Sequence, residues 1–135
     1  MAGHSRSSAP VLVILAVTVL SMITGCAADQ ALTNTQACTE LQDAMTEVGL
    51  AWPIAGQPVS AEQARALGDR FASVQEDTTG DTETVLAAWL QGYEAAAPYL
   101  VAGDQDGFLD NTDPELQDQL HLASTLLATR CGWTD

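Results

Sequence analysis

Residues 81–102, DTETVLAAWLQGYEAAAPYLVA, carry a long helical pattern. Apolar side chains recur there at spacings of three and four residues, which is the repeat of one helix face. Pro98 lacks the amide hydrogen that would bond the carbonyl of Glu94, so we predict a kink there or an end at Ala97. The apolar set is wide, as is typical of a helix that faces a bundle interior: Val85, Leu86, Trp89, Leu90, Tyr93, Leu100 and Val101.

Three further segments repeat this spacing, so we predict an all-α fold. Ala and Leu dominate the apolar residues beyond the N-terminal run, which favours helices over sheets. The four helices predict a small antiparallel bundle that runs up-down-up-down. The apolar positions of the other helices are Cys38, Leu41, Met45 and Val48; Ala64, Leu67, Phe71 and Val74; and Leu116, Leu120, Ala123 and Leu127.

Polar residues mark where two of these helices begin. Ser60 and Gln63 fit a capping box, in which each side chain bonds the backbone amide of the other residue. Two starts fit the fourth helix: a capping box of Thr112 with Glu115, or Asp113 as the cap with a proline directly after it.

Acidic residues far outnumber basic ones. The chain has 18 Asp and Glu against 4 Lys and Arg, and its formal net charge is −14. Lysine is absent, and the arginines beyond residue 25 are Arg65, Arg70 and Arg130. Such a surface repels phosphates and anionic lipid headgroups, which excludes nucleic acid as a partner and keeps the domain off the bilayer. It favours solubility, or the attraction of cations and basic partners.

The N-terminus reads as a targeting segment. Val11 to Gly25 is an uncharged, mostly apolar run, preceded by Arg6. A spanning helix needs about 20 apolar residues, so this shorter run suits the core of a signal peptide. It ends in Ile23-Thr24-Gly25-Cys26, which resembles the lipobox of bacterial lipoproteins: an aliphatic residue, two small residues and a cysteine.

This resemblance implies that residues 1–25 are a signal peptide cut before Cys26, and that the Cys26 thiol carries lipid. Two or three acyl chains hold a protein stably on a membrane, whereas one holds it only marginally. The alternative is an ordinary secretory signal with an incidental cysteine. We interpret residues 26–36 as the lipidated cysteine and a flexible tether, and residues 37–135 as the helical domain. The alanine-rich, lysine-free composition resembles that of actinobacterial proteins.

With Cys26 assigned to lipid, Cys38 and Cys131 remain. Export places them in an oxidising compartment, where pairing is the default. The start of the first helix and the end of the fourth are neighbours in an up-down bundle, so we predict a disulfide between them. The alternative is two free thiols that bind a metal or act as a nucleophile.

His121 is the one histidine of the domain, and it shares a helix with Asp118 and Ser124. These are the residue types of a catalytic triad. However, His121 points roughly 130° away from the apolar stripe, and one helix supplies neither a pocket nor an oxyanion hole. We interpret His121 as a surface residue paired with Asp118. We predict no catalytic residue and no cofactor, and hence a protein that is not an enzyme.

Residues 103–113, GDQDGFLDNTD, are the strongest candidate for a cation site. If Gly107 is the sixth position of a calcium loop, four carboxylates fall at ligand positions, although Ala102 then occupies the first position. The alternative is an acidic turn between helices. The weak metal candidates are Asp104, Asp106, Asp110 and Asp113.

Two classes of function remain. The first is a membrane-anchored, extracytoplasmic lipoprotein that acts as a non-enzymatic protein-interaction module, with an unknown protein partner. The second is a cation- or small-solute-binding lipoprotein. In the first, we expect connections 49–59 and 102–112 to share the end of the bundle far from the membrane. Trp52, Ile54 and Phe108 would there offer apolar contacts to a basic partner, unless they merely plug that end.

Overall fold

The computed structural model describes residues 31–133, and these form an all-α domain, as predicted. Its helices are α1 Asn34–Val48, α2 Ala61–Glu76, α3 Asp81–Ala102, α4 Gln105–Asn111 and α5 Pro114–Cys131. Within this range there is no strand, and none of the helices is long and apolar enough to cross a membrane. The predicted signal peptide and the lipobox that ends at Cys26 lie outside the described residues.

Helix α1 begins inside the segment that the sequence predicts to be tether. Thr33 and Gln36 form a capping box, which starts the helix at Asn34 instead of residue 37. The preceding Leu32 donates its backbone N–H to the carbonyl of Asp77 over 2.8 Å. The last residues of the predicted tether are therefore fixed on the connection between α2 and α3.

Two of the predicted helix starts are confirmed. Ser60 and Gln63 form the capping box at the start of α2. At α5, Asp113 is the cap and accepts the amide of Glu115 at 2.9 Å, with Pro114 at the first turn. Of the two starts that fit the sequence, the second is the one formed, because proline needs no amide partner there.

Helix α3 passes Pro98 and continues to Ala102, so an end at Ala97 is wrong. Pro98 has no amide hydrogen to donate to the Glu94 carbonyl. Both residues are exposed, so the helix can continue there with water in place of that hydrogen bond. Its last residue is Ala102, and the next residue, Gly103, caps it with a left-handed backbone (φ +66°) that favours glycine.

The core lies where α1, α2, α3 and α5 face one another. All four apolar positions predicted for the second helix are buried, and so are Trp89 and Tyr93 of α3. Helices α3 and α5 approach closely at Gly92, where an added Cβ would lie 2.6 Å from the Cβ of Leu120. The largest fully buried side chains are Phe71, Leu41, Met45, Leu67, Leu86 and Leu127.

The ends of the domain are joined covalently. Cys38 and Cys131 form the predicted disulfide, with Cα atoms 5.3 Å apart and a sequence separation of 93. Beside it, the Asn34 side chain donates to the carbonyl of Arg130 at 3.4 Å and accepts the hydroxyl of Thr82 at 2.8 Å. Helix α1 therefore meets α5 at the disulfide, while α3 contacts α2, α4 and α5.

Candidate functional site

A long apolar groove runs between α5 and the connection that follows α1. We call it the α3–α5 groove, since these helices supply nearly half of its lining residues, and its volume is about 1340 Å³. Residues 52–60 line the opposite side, and none of the described residues that line it belongs to α1. The side chains used below are Trp89, Tyr93, Ala96 and Leu100 on α3, Phe108 on α4, and Leu120, Ser124 and Ala128 on α5.

A second depression, of about 710 Å³, lies between α2 and α3. Alanine and glycine supply six of its lining residues, and it contains charges of both signs, from Arg65, Asp69 and Glu94. Small residues supply little apolar area to a ligand, and mixed charges select neither sign of partner. The α3–α5 groove is the stronger candidate site because it contains the aromatic side chains.

An aromatic cluster forms the deep part of the groove. The ring of Trp89 stacks on Tyr93, with centroids 4.8 Å apart and planes inclined by 12°. Trp52 packs against both Trp89 and Trp133, at centroid distances of 6.1 and 4.9 Å. The burial of Trp89 confirms the core position predicted for it, and the cluster fixes the connection onto α3.

The predicted surface of Trp52, Ile54 and Phe108 at one bundle end is wrong in part. Trp52 packs beside Trp133, two residues beyond Cys131, so the connection folds back toward the disulfide. Burial of its indole on Trp89 favours this path over an extended one. Ile54 is only 5% exposed and belongs to the core. Trp52 and Phe108 do share the α3–α5 groove, where both are half-buried.

Phe108 lies beside the far end of the groove. Its ring is tilted against that of Tyr99, with centroids 6.0 Å apart. The adjacent Leu109 is 49% exposed and also lines the groove. An aromatic ring and a leucine that both remain accessible are side chains that a partner can bury.

The acidic segment 103–113 does not have the form of a calcium loop. Residues Gln105–Asn111 are the helix α4, which the sequence predicts as a turn. Asp104 caps this helix by accepting the amide of Gly107 at 2.9 Å, and Asp113 caps α5. A Cβ at Gly107 would meet the Asp104 carboxylate at 2.2 Å, so glycine is needed for that cap.

Two of the four candidate carboxylates, Asp104 and Asp113, accept backbone amides as helix caps. Across residues 31–133, no three His, Cys, Asp or Glu side chains are placed to hold a metal ion. Asp106 and Asp110 are exposed and remain as surface charge at this end of the groove.

His121 is exposed, as predicted, but the predicted partner is wrong. The ion pairs formed among the described residues are Arg70 with Glu47 and Arg130 with Asp81, so Asp118 does not pair with His121. Both Asp118 and His121 line the α3–α5 groove on its α5 side, together with Ser124. The three residues that resemble a triad by type therefore contribute polar groups to the groove edge.

Tyr93 is held at the base of the groove. Its hydroxyl donates to the carbonyl of Ala64 at 2.7 Å, and the residue is buried. Burial raises the pKa of Tyr93 to about 12, because the phenolate would lose its hydration there. At neutral pH this phenol is a neutral donor that ties α3 to α2.

The charge at the edge of the groove has one sign. Among the described residues that line it, none is Lys or Arg, whereas Asp104 and Asp118 are both acidic. Arg70 and Arg130 are paired elsewhere, and Arg65 lines the second depression. The site is therefore an apolar trough with carboxylates along its edge.

The sequence did not predict this groove, because it arises from the path of a connection. Helix periodicity places Trp89 and Tyr93 on an inward face, but the space beside that face depends on where residues 49–60 run. One signal was available: a 12-residue connection with Trp52 and Ile54 is longer and more apolar than a simple turn requires. Comparisons of the chain with protein-family models, with curated proteins and with solved structures gave no match.

Proposed function

We propose that this chain is a membrane-anchored, extracytoplasmic lipoprotein whose helical domain is a non-enzymatic module that binds a protein partner in the α3–α5 groove. The observation that carries the binding role is the groove itself, with the half-buried rings of Trp52 and Phe108 in it. The resemblance of Ile23-Thr24-Gly25-Cys26 to a lipobox supports the anchor. The disulfide of the domain fits an oxidising compartment.

The size of the groove favours a protein segment over a small solute. Pockets for small molecules are typically about 300–1,000 Å³ and enclose most of their ligand. The α3–α5 groove is larger, at about 1340 Å³, and runs along the helices. Accessible apolar side chains beside polar groups are typical of protein-interaction sites. A cation is not proposed as the ligand, because Asp104 and Asp113 act as helix caps.

The arrangement of helices that we propose is an up-down-up-down bundle of α1, α2, α3 and α5, with α4 as a short addition. It is supported by the contacts of α2 with α1 and α3, and of α5 with α3 and α1. The disulfide, which joins Cys38 near the start of α1 to Cys131 at the end of α5, also fits this topology. In it, the chain end that carries the tether lies beside Cys131.

A capture experiment with matched variants tests the binding role. The lipid-anchored protein and its Phe108→Ala and Leu122→Ala variants are purified from detergent-solubilised envelope of the producing cells, and bound proteins are identified by mass spectrometry. Leu122 is 59% exposed on α5 and does not line the groove, so it is the control. We expect a specific protein with the unaltered chain and Leu122→Ala, and its loss with Phe108→Ala.

If a variant no longer captures the protein, thermal melting distinguishes a lost contact with the partner from a loss of folding. Phe108 is only half-buried, so Phe108→Ala should fold and melt nearly normally. Equal recovery of all proteins by the Phe108→Ala variant would contradict the assignment of the groove. Recovery of a small apolar molecule in place of a protein would favour the solute-binding alternative.

A further inference from the structure

The surface of the α3–α5 groove has the spacing of a helix-binding site. Its lining on α3 is Trp89, Tyr93, Ala96 and Leu100, of which Leu100 is the accessible one, and its lining on α5 is Gln117, Leu120, Ser124 and Ala128, of which Ala128 is buried. Each set advances by three or four residues, so each is a single stripe along its helix. The half-buried positions, Leu100 on α3 with Gln117, Leu120 and Ser124 on α5, are those that the side-chain ridges of a third helix packed along these stripes would contact.

The dimensions agree with one short helix. The stripe on α5 spans residues 117–128, which corresponds to about 18 Å along the axis. A helix of that length and about 10 Å across occupies roughly 1,400 Å³. The groove volume of about 1340 Å³ is therefore more than enough for one face of such a helix. The small side chain of the half-buried Ser124 permits a close approach of that helix.

The charge of the groove decides which helix fits. A helix that buries one face in the trough leaves its flanks beside Asp104 and Asp118, and its end near the exposed Asp106 and Asp110 of α4. Carboxylates with no Lys or Arg among the described lining residues attract Lys and Arg on the occupant and repel Asp and Glu. A second copy of this chain carries the same net charge of −14 and is disfavoured.

From these observations we infer that the occupant is a cationic amphipathic helix of the partner protein, with an apolar face in the groove and Lys or Arg on its flanks. This inference rests on the proposed function and specifies the chemistry of its partner. In it, Trp52 and Phe108 contact the apolar face, while Asp118 and Asp104 contact the basic flanks. The occupant serves as an additional helix packed against α3 and α5.

The test uses the mature chain in phosphatidylcholine nanodiscs, with empty nanodiscs as the background. The probe is a fluorescent synthetic helix of about 18 residues, which spans about 27 Å, built from Leu on one face and Lys on the other. Two matched peptides accompany it: one has Glu in place of Lys, and the other has the same Leu and Lys content in shuffled order. Fluorescence anisotropy gives the Kd of each.

We expect the amphipathic Lys helix to bind about tenfold more tightly than either matched peptide. Its affinity should also fall severalfold as salt is raised from about 50 to about 300 mM, because part of the attraction is between exposed charges. If the shuffled peptide binds equally well, mere charge attraction explains the result and the inference is wrong. Equal binding of the Glu helix would overturn it as well.

Matched variants locate the binding. Ser124→Arg adds bulk and positive charge in the groove, whereas Thr129→Arg adds the same group at an exposed position of α5 outside it. We expect Ser124→Arg to lower the affinity for the Lys helix by about tenfold, and Thr129→Arg to lower it by less than about twofold. Equal effects of the two variants would contradict the assignment.

A second pair of variants keeps the test decisive if Ser124→Arg does not fold. Asp118→Asn in the groove and Asp43→Asn on the exposed face of α1 each remove one charge at little cost in stability. Only Asp118→Asn should weaken binding, by about threefold. If neither does, the charge assignment is wrong. A further outcome is that the envelope experiment captures a protein in a way that depends on Phe108 while the Lys helix does not bind. That result would support the proposed function and contradict the cationic helix as its partner.

Discussion

The indole ring of Trp52 packs against that of Trp133, with centroids 4.9 Å apart and planes inclined by 45°. Trp52 belongs to the connection after α1, and Trp133 follows the cysteine that closes the disulfide at the end of α5. This contact joins a connection to the end of the described chain. It holds residues 52–60 over α3, which defines one side of the α3–α5 groove.

The first prediction concerns this contact. Trp52→Ala should lower the free energy of unfolding by about 2–3 kcal/mol, somewhat less than a fully buried tryptophan, because the ring is only half-buried. Urea denaturation measures the change. Leu122→Ala, at a 59% exposed position, is the control and should cost less than about 0.5 kcal/mol. An equal, small effect of both variants would mean that the Trp52–Trp133 contact does not hold the connection.

The disulfide should supply a large share of the stability. Its loop of 93 residues corresponds to about 4–5 kcal/mol in the chain-entropy description. Replacing both cysteines, Cys38→Ser with Cys131→Ser, should therefore lower the free energy of unfolding by several kcal/mol, which urea denaturation measures. Mass spectrometry without reductant should find the two thiols bonded in the mature protein. Two free thiols, or a loss below about 1 kcal/mol, would contradict this prediction.

The raised pKa of Tyr93 predicts how the stability of the domain changes at high pH. Its pKa is about 12 in the folded protein against about 10 when unfolded, so folding holds the proton more tightly. The resulting stabilisation is complete below pH of about 10 and is lost as the pH rises toward 12. Melting temperatures from pH 9 to 11 should therefore fall more steeply in the unaltered chain than in Tyr93→Phe. Parallel curves would contradict the raised pKa.

The anchor is tested at Cys26. Cys26→Ala removes the thiol that would carry lipid, so the variant should be released into the medium or remain unprocessed. Fractionation and the mass of the mature chain measure both outcomes, and labelled palmitate should enter only the unaltered protein. A variant that stays on the membrane at the normal mature mass would show that the lipobox interpretation is wrong.

The local features of the fold could be predicted from the sequence. The capping box of Ser60 with Gln63 and the buried stripe that includes Phe71 are short-range patterns, and both are present. The pairing of Cys38 with Cys131 followed from topology and an oxidising compartment, and it is also present. These features depend on neighbouring residues or on helix order alone.

Of the features that were missed, helix α4 depends on a local cap, whereas the others depend on tertiary contacts. Helix α4 forms because the Asp104 cap outweighs the weak helix propensity of Gly107. The path of the connection at Trp52 is decided by contacts with Trp89 and Trp133, which lie far away in sequence. The groove follows from that path, so no periodicity within one segment indicates it.

Photo-crosslinking from within the groove tests the proposed function most directly. A photoreactive phenylalanine analogue is placed at Phe108, and in a control protein at Leu122, on the lipid-anchored chain in intact producing cells. Phe108 lies half-buried in the α3–α5 groove, whereas Leu122 is exposed elsewhere on α5. Irradiation should give one defined protein adduct from position 108 that is absent from position 122. Adducts that are the same at both positions, or none from position 108, would contradict the assignment of this groove as a protein-binding site.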